Sequence, residues 1–430
     1  MMADGPLDLP AHPEALTLDT IEKYRAHFGE GLANILQFGG YGVEWCADGC
    51  LVYDAYGREF IDCVGIYGVM ALGHRRPEVV EAAIAQMRRL PLSTRNFFSD
   101  VRANMAAELS AAAPGDLSRI FFCHSGAEAV EAALKCARIA TGKSDIISTE
   151  GSFHGKTLGA LSASGREKYK KPFAPLVPGF KQVPFGDAAA VDAAIDSSTA
   201  AVIVEPIQGE GGVVVPPAGY LRDLRAICDH RDVLLILDEV QTGLGRTGRL
   251  FACQHEDVAP DIMTLAKALG GGVAPLAAMI TTPVLWDRMF GENPWIHTTT
   301  VVNLVALAAG RVSLRILQEE KISEQAARTG SRLMAELCRV AAPYPDWVVE
   351  VRGKGLLIGM EVAHPDLALL MTSFLTARGV IVAYTMNNPK VIRIEPPLII
   401  SDALVDRVIA AFEESLKIAV ETVQSLSEEG

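Results

Sequence analysis

Through the middle of the chain, short apolar runs alternate with stretches whose apolar residues recur every three or four positions. Arg119 to Cys123 (RIFFC) predicts a strand, and Gly126 to Ala140 predicts a helix with Ala129, Val130, Ala133, Leu134 and Ala137 on one face. Asp145 to Ser148, Ala200 to Val204 (AAVIV), Leu234 to Leu237 (LLIL), Ile262 to Leu265 and Leu276 to Thr282 predict further strands. Between them, Tyr220 to His230 predicts a helix burying Leu221, Leu224, Ile227 and Cys228. Continuous apolar strands separated by amphipathic helices imply an α/β fold, with a mostly parallel sheet covered by helices on both faces.

The tail reads differently. Val348 to Val362 alternates and predicts sheet, and Lys390 to Ile400 predicts a second strand region stopped by Pro396 and Pro397. Ser401 is placed to cap a last helix carrying Leu404, Val405, Val408, Ile409 and Phe412 at helical spacing. A smaller α+β domain is expected to begin about Arg311 to Gln318.

Composition narrows the function classes. A chain of 430 residues suits two or three domains, or one large and one small. Half the residues are hydrophobic and 21% charged, which excludes a disordered chain. A net charge of −13 argues against nucleic acid or an anionic membrane as partner, and Lys168-Tyr169-Lys170-Lys171 is too short to reverse that. The start, MMADGPLDLPAHPEAL, lacks the basic and apolar regions of a signal peptide. The uncharged stretch from Ala268 to Trp286 is broken by Gly270, Gly271, Gly272, Pro275 and Pro283, so a core segment is expected rather than a membrane span. The eight cysteines are scattered without a CxxC pair; Cys46 and Cys50 could pair, but lone thiols in a reducing cytoplasm are the expectation.

Ligands in such sheets sit beyond the carboxyl ends of the strands, so polar residues directly after apolar runs carry the information. Four places qualify. Cys123-His124-Ser125-Gly126-Ala127 turns a strand into a helix, leaving backbone N–H groups for an anion; an ordinary capped helix start has the same pattern. Asp238 follows LLIL, where burial demands a cationic partner and a surface turn does not. Lys267 follows an apolar strand and precedes Gly270 to Gly272; desolvation there would lower its pKa and make it an imine-forming nucleophile, whereas a surface lysine would extend into water. Gly243 to Gly248 is a literal G-x-G-x-x-G, but no long helix follows, which disfavours dinucleotide binding. Metal binding is not expected, because the nine histidines are dispersed, HExxH is absent and Cys253 with His255 supplies only two ligands. A G-x-S-x-G elbow is also absent. Anion cup, aromatic, acid and lysine, in that order and each after a strand, suit pyridoxal phosphate.

At this point the chain resembles the class III (ω-type) pyridoxal-phosphate aminotransferases of fold type I, from about Gly39 to Leu426. The resemblance is carried by FFCHSGAEAVEAALKCAR, GSFHGKTLGALSAS, VIVEPIQGEGGVVVPPAGYL, VIRIEPPL and the LDEVQTGLGRTG run, with a lysine 29 positions after its aspartate. KPFAPLVPGFKQVPFG, HTTT and NNPKVIRIEPPL look most like putrescine (diamine) aminotransferases. The resemblance implies a large cofactor-binding domain over 76–312 and a small domain over 313–430, joined by an N-terminal segment, 1–75. It implies that Lys267 is the Schiff-base lysine and proton-transfer base, and that Asp238 partners the pyridine nitrogen. Ser125, Gly126 and Ala127 would hold the phosphate, Phe153 and Val240 would pack on the ring, and Gln241 would bond its hydroxyl. His154 and Glu205 would also belong to the cofactor site. Glu210 and Arg393 resemble a switch pair in which the arginine meets either glutamate or a substrate carboxylate, and Tyr67 would line the substrate pocket. Thr300 would reach the phosphate from a partner subunit, implying a homodimer.

One departure is visible. The family follows HTTT with an aromatic and Gly-Gly-Asn-Pro; here the run reads His297-Thr298-Thr299-Thr300-Val301-Val302-Asn303-Leu304, one residue shorter and without the glycines or proline. Gly-Gly permits backbone shapes closed to valine, so this loop is expected to differ, and with it the pocket at the dimer seam. The expected reaction moves an amino group between a primary terminal amine, or the matching aldehyde, and a 2-oxo acid such as 2-oxoglutarate or pyruvate. The same cradle would also serve a decarboxylase, aminomutase or epimerase, and a silent scaffold could keep the fold.

Overall fold

The computed structural model describes residues 8–94, 96–298 and 303–428. Its centre is a seven-stranded sheet in the spatial order Arg119–Cys123, Ala277–Thr281, Ile262–Leu265, Leu234–Asp238, Thr199–Val204, Asp145–Thr149, Phe180–Val183. Neighbours are parallel from Ile262–Leu265 to Phe180–Val183. Ala277–Thr281 runs antiparallel to both of its neighbours. An apolar run gives no direction, so that reversal is invisible in the hydrophobic pattern.

Alternate residues of one strand feed two different cores. Leu235, Leu237, Val202, Val204 and Met263 pack into one cluster, and Ile236, Ile203 and Ile262 into the other. The sheet is therefore buried on both faces, as its unbroken apolar strands require. Helix Gly126–Thr141 covers the second face with Val130, Ala133, Leu134 and Ala137. Ser125 and Glu128 form a capping box at its start, and Gly142 in the left-handed region ends it.

The C-terminal region folds into a four-stranded antiparallel sheet. Val348–Lys354 and Leu357–Val362 form a hairpin, followed by Val391–Ile394 and Ala383–Tyr384. The strand region expected to Ile400 stops at Ile394, because Pro396 and Pro397 have no N–H for a ladder. The strand expected to Thr282 ends at Thr281; Thr282 instead caps helix Pro283–Phe290 by accepting the Leu285 N–H. Ser401 Oγ accepts the Leu404 N–H at the start of helix Asp402–Glu428.

A third sheet joins the chain ends. Glu44–Asp48, Leu51–Asp54 and Glu59–Asp62 are extended by Val380–Ile381, which pairs parallel with residues 61 and 62. Two helices, Pro13–Phe28 and Glu30–Phe38, precede these strands and lie outside the alternating pattern read in the sequence. No described helix is long and apolar enough to cross a membrane. All eight cysteines are free thiols.

Candidate active site

The polar residues after the apolar strands converge. Ser125, Gly126, Ala127, Phe153, His154, Glu205, Asp238, Val240, Gln241 and Lys267 line one cavity of about 630 Å³. It lies where strands Arg119–Cys123, Asp145–Thr149, Thr199–Val204, Leu234–Asp238 and Ile262–Leu265 end.

Asp238 is 4% exposed, so the surface-turn alternative is excluded. Its Oδ1 accepts from the Thr264 hydroxyl (3.0 Å) and the Val240 N–H (3.1 Å), and its Oδ2 lies 2.7 Å from His154 Nδ1. Burial disfavours the imidazolium of His154, but the hydrogen bond and charge of Asp238 outweigh it and raise the pKa. The far nitrogen, His154 Nε2, is buried without a partner.

Glu205 accepts the N–H groups of Phe153 (2.9 Å) and Gly209 (3.1 Å), fastening the loop that carries Phe153. Burial pushes its carboxyl up to about 7, helped by the Asp238 charge and opposed by His154. Lys267 sits at φ +50, a left-handed conformation in which a lysine is uncommon. Burial lowers its pKa; Glu395 is the largest opposing influence, and Arg393 adds to the depression.

At the helix start, Ser125 Oγ accepts the Glu128 N–H (3.2 Å), while Glu128 Oε2 accepts the Ser125 N–H (3.1 Å). The Ser125 hydroxyl hydrogen stays available. The N–H groups of Gly126 and Ala127 lie in the first turn, where a helix supplies no acceptor. A Cβ on Gly126 would stand 3.0 Å from Val240 Cγ1, so glycine lets the helix start close on that turn. An anion fits this cup, an aromatic ring fits beside Phe153 and Val240, and the unpartnered His154 Nε2 awaits a polar neighbour. The cavity thus suits the phosphorylated pyridine expected from the sequence.

Tyr67, Glu210 and Arg393 form an adjoining cluster. Arg393 Nη1 donates to Glu210 Oε1 over 2.6 Å, and Glu210 Oε2 accepts the Met386 N–H over 2.9 Å. Burial alone would raise the Glu210 pKa, but Arg393 reverses this and holds it low. The Tyr67 ring lies 4.9 Å from the Arg393 guanidinium carbon. Tyr67 rides on a left-handed turn formed by Gly65, Ile66, Tyr67 and Gly68, all at positive φ. Such geometry costs roughly 1–2 kcal/mol for each non-glycine residue. Asp62 holds it, its Oδ1 accepting from the N–H groups of Val64 and Gly65 while Oδ2 meets His74. Ile66 lines both the 630 Å³ cavity and one of about 730 Å³, which Tyr67 also lines. Thr300 lies outside the described residues.

Two buried residues of this cluster went unassigned in the sequence. Glu395 and Arg246 both reach it, with Gln241 Nε2 donating to Glu395 Oε2 over 2.9 Å. Glu395 shares with Asp238 the pattern of an acid at the end of a strand, but Pro396 and Pro397 follow it directly. The G-x-G-x-x-G run is followed only by the short turn Ala252–His255, and its Arg246 points into the protein interior. Among the described residues, no group of three or more His, Cys, Asp or Glu side chains is placed to hold a metal ion.

The family model of class-III aminotransferases matches residues 45–416. An ornithine aminotransferase from Toxoplasma gondii, with pyridoxal phosphate at partial occupancy in its active site, superposes with a TM-score of 0.84. It shares 32% identity, covering 94% of this chain and 98% of its own. An (S)-enantioselective omega-transaminase from Thermomicrobium roseum gives 0.86 at 33% identity, covering 94% and 98%. A transaminase from the marine bacterium Virgibacillus gives 0.88 at 26% identity, covering 94% and 100%.

Proposed function

The chain belongs to the class-III aminotransferases, which use pyridoxal phosphate, and from that premise we propose that it moves an amino group between a primary terminal amine and a 2-oxo acid. The observation that carries this reading is the buried Arg393–Glu210 pair beside the Lys267 cavity. A bare buried guanidinium would repel an ammonium donor and leave its own charge uncompensated. Paired with Glu210, it tolerates an amine on an apolar chain; freed from Glu210, it offers a planar fork to a carboxylate. One site can then take two chemically opposite substrates in turn.

When bound, pyridoxal phosphate supplies a protonated ring that takes up the electron pair released at the carbon bearing nitrogen. Asp238 would hold the ring N–H proton, its own orientation set by Thr264, Val240 and His154. Lys267 Nζ, whose pKa burial lowers, would accept a proton from the donor carbon and return it on the far side of the nitrogen. The Gly126 and Ala127 N–H groups and the Ser125 hydroxyl would hold the phosphate. Gln241 would bond the ring hydroxyl, and Phe153 and Val240 would keep water from the ring faces.

Within terminal amines we favour a diamine such as putrescine, on the resemblance of KPFAPLVPGFKQVPFG and NNPKVIRIEPPL and on the acidic net charge. We also propose a homodimer in a reducing cytoplasm. The exposed Phe97 and Phe98 suit burial against a second copy, and the free thiols suit a reducing compartment. Residues 1–75 and 313–430 are taken as one small domain, supported by the pairing of residues 61 and 380.

An amine-donor panel tests the reading. Terminal amines should bleach the near-visible absorbance of the bound cofactor, and a 2-oxo acid should restore it. Release of carbon dioxide without amino transfer would sink it.

A further inference from the structure

Arg393 lies in strand Val391–Ile394, and Glu395 directly follows it. Two residues apart on extended chain, they share a side, and Arg393 Nε stands 3.5 Å from Glu395 Oε2. Glu395 is 0% exposed. Gln241 donates to its Oε2, while Arg246 Nε stands 3.7 Å from Oε1 and Arg246 Nη1 is engaged by the carbonyls of Leu356 and Pro396. The Glu395 N–H is tied to the Cys63 carbonyl over 2.7 Å, and Gly68 is packed so closely on Oε1 that a Cβ there would clash. Glu395 is held through its backbone N–H and Oε2, with Oε1 packed against Gly68.

Glu210 is held differently. It sits on the loop between strand Thr199–Val204 and helix Tyr220–Arg231, flanked by Gly209, Gly211 and Gly212. Its side chain is held by Arg393 and one backbone N–H. Two carboxylates therefore serve one arginine, one on a glycine-rich loop and one fixed. Arg393 Nε and Nη2 make no hydrogen bond, and neither does Glu395 Oε1. The Nε–Nη2 edge is one that a carboxylate can take bidentately.

We propose that Glu395 is a fixed second counter-anion of Arg393, a positioning residue that sets how tightly the site takes a substrate carboxylate relative to an amine. The proposal rests on the reading of Arg393 given above. When Glu210 yields to a carboxylate, Glu395 stays, so the incoming anion meets a guanidinium whose charge is already partly cancelled. Oxo-acid binding is thereby weakened, and the arginine keeps its place throughout the exchange.

The test uses the holoenzyme and glutarate, an unreactive dicarboxylate, titrated calorimetrically. Glu395→Gln keeps the shape and an oxygen for Gln241 but removes the charge. It should bind glutarate about tenfold tighter, the change expected for one lost repulsion at this range in a partly screened interior. The KM for the 2-oxo acid should fall by a similar factor and the KM for the amine should rise, with kcat moving less. A purely structural role would lower kcat and melting temperature without separating the two KM values. If Glu395→Gln is too unstable, Glu395→Asp, which withdraws the carboxylate from Arg393, should shift glutarate affinity the same way by less. Wild-type or weaker glutarate affinity in whichever variant folds overturns the proposal. Arg393→Gln should lose glutarate binding. If it does while Glu395→Gln matches wild type, only the role of Glu395 falls; if Arg393→Gln still binds glutarate, the reading of Arg393 falls and this proposal with it.

Discussion

Arg393 and Glu210 meet through a single hydrogen bond, Nη1 to Oε1 over 2.6 Å, while Arg393 Nε and Nη2 donate to nothing. The pair is buried yet only half committed, which is how a partner that must be released is held. Glu210→Ala removes the releasable anion and leaves Glu395 as the near counter-charge. The KM for an amine donor should rise about tenfold or more, and the KM for the oxo acid should fall, as expected when one partner of a buried charge pair is truncated. Steady-state kinetics with each substrate varied in turn checks both directions. Equal changes in the two KM values would refute the switch.

Lys267 sets a conflict between stability and activity. Its folded pKa lies below the ordinary lysine value, so the folded state binds fewer protons than the unfolded chain. Stability from this group is complete only above the unfolded pKa near 10.5 and is lost as pH falls toward the folded value. At pH 7 the buried amine is therefore a cost. Lys267→Met should raise the apoprotein's melting temperature at pH 7, with the gain vanishing toward pH 11. Activity should drop by about 10³-fold or more, the upper range for loss of a general base. Borohydride reduction of the wild-type holoenzyme should leave a cofactor-sized mass on the peptide containing Lys267. Finding that mass on another lysine would remove Lys267 from its role.

Asp238→Asn tests the acid proposed to hold the ring N–H. The amide keeps an oxygen for Thr264 and the Val240 N–H but loses the charge that raises the His154 pKa. Activity should fall about 10²–10³-fold, the scale of removing one preorganised electrostatic partner. His154 titrates with it. In the wild type its raised pKa contributes stability that is present below pH 6.5 and lost as pH climbs through the folded value. In the variant only the Glu205 charge still opposes burial, so the His154 midpoint should fall from its wild-type position. An NMR titration of the His154 ring in the apoprotein reads this directly, and an unchanged midpoint would contradict the pairing.

Most of the central sheet was legible because its strands are apolar runs between amphipathic helices, but Phe180–Val183 was not, since Lys181 and Gln182 interrupt it. Ile262–Leu265 and Arg119–Cys123 fall where the pattern placed them. Direction was not legible, since an apolar run such as Ala277–Thr281 carries no mark of which way it runs. The pairing of Val380 with Ile61 was equally hidden, because a two-residue strand carries no periodicity and its partner lies more than 300 residues away. At the site, the pattern marked Asp238 and Lys267 as polar residues after apolar strands, without separating them from a surface turn and a surface lysine. The left-handed turn under Tyr67 did not, because only its two glycines hint at positive φ and Ile66 argues against it. Glu395 was masked by the prolines after it, although its spacing from Arg393 was in plain view.

Glu205 makes the last prediction, one that separates a structural carboxylate from a catalytic one. Its pKa is pushed from 4.5 to about 7 by burial, so the folded state binds protons more tightly than the unfolded chain between those values. Stability is then greatest below pH 4.5 as far as this group is concerned, and declines as pH rises to about 7. A shift of this size corresponds to roughly 2–4 kcal/mol across the window. Glu205→Gln cannot titrate, so the difference in unfolding free energy between wild type and variant should slope with pH over this window and flatten above it. The amide also turns a donor toward the N–H of either Phe153 or Gly209, a mismatch costing about 1–3 kcal/mol at every pH. The offset and the slope are thus independent readings, obtained from urea unfolding of the two apoproteins at pH 5, 6, 7 and 8. A parallel pair of stability curves would show that Glu205 is ionised throughout, and that its two backbone hydrogen bonds outweigh its burial.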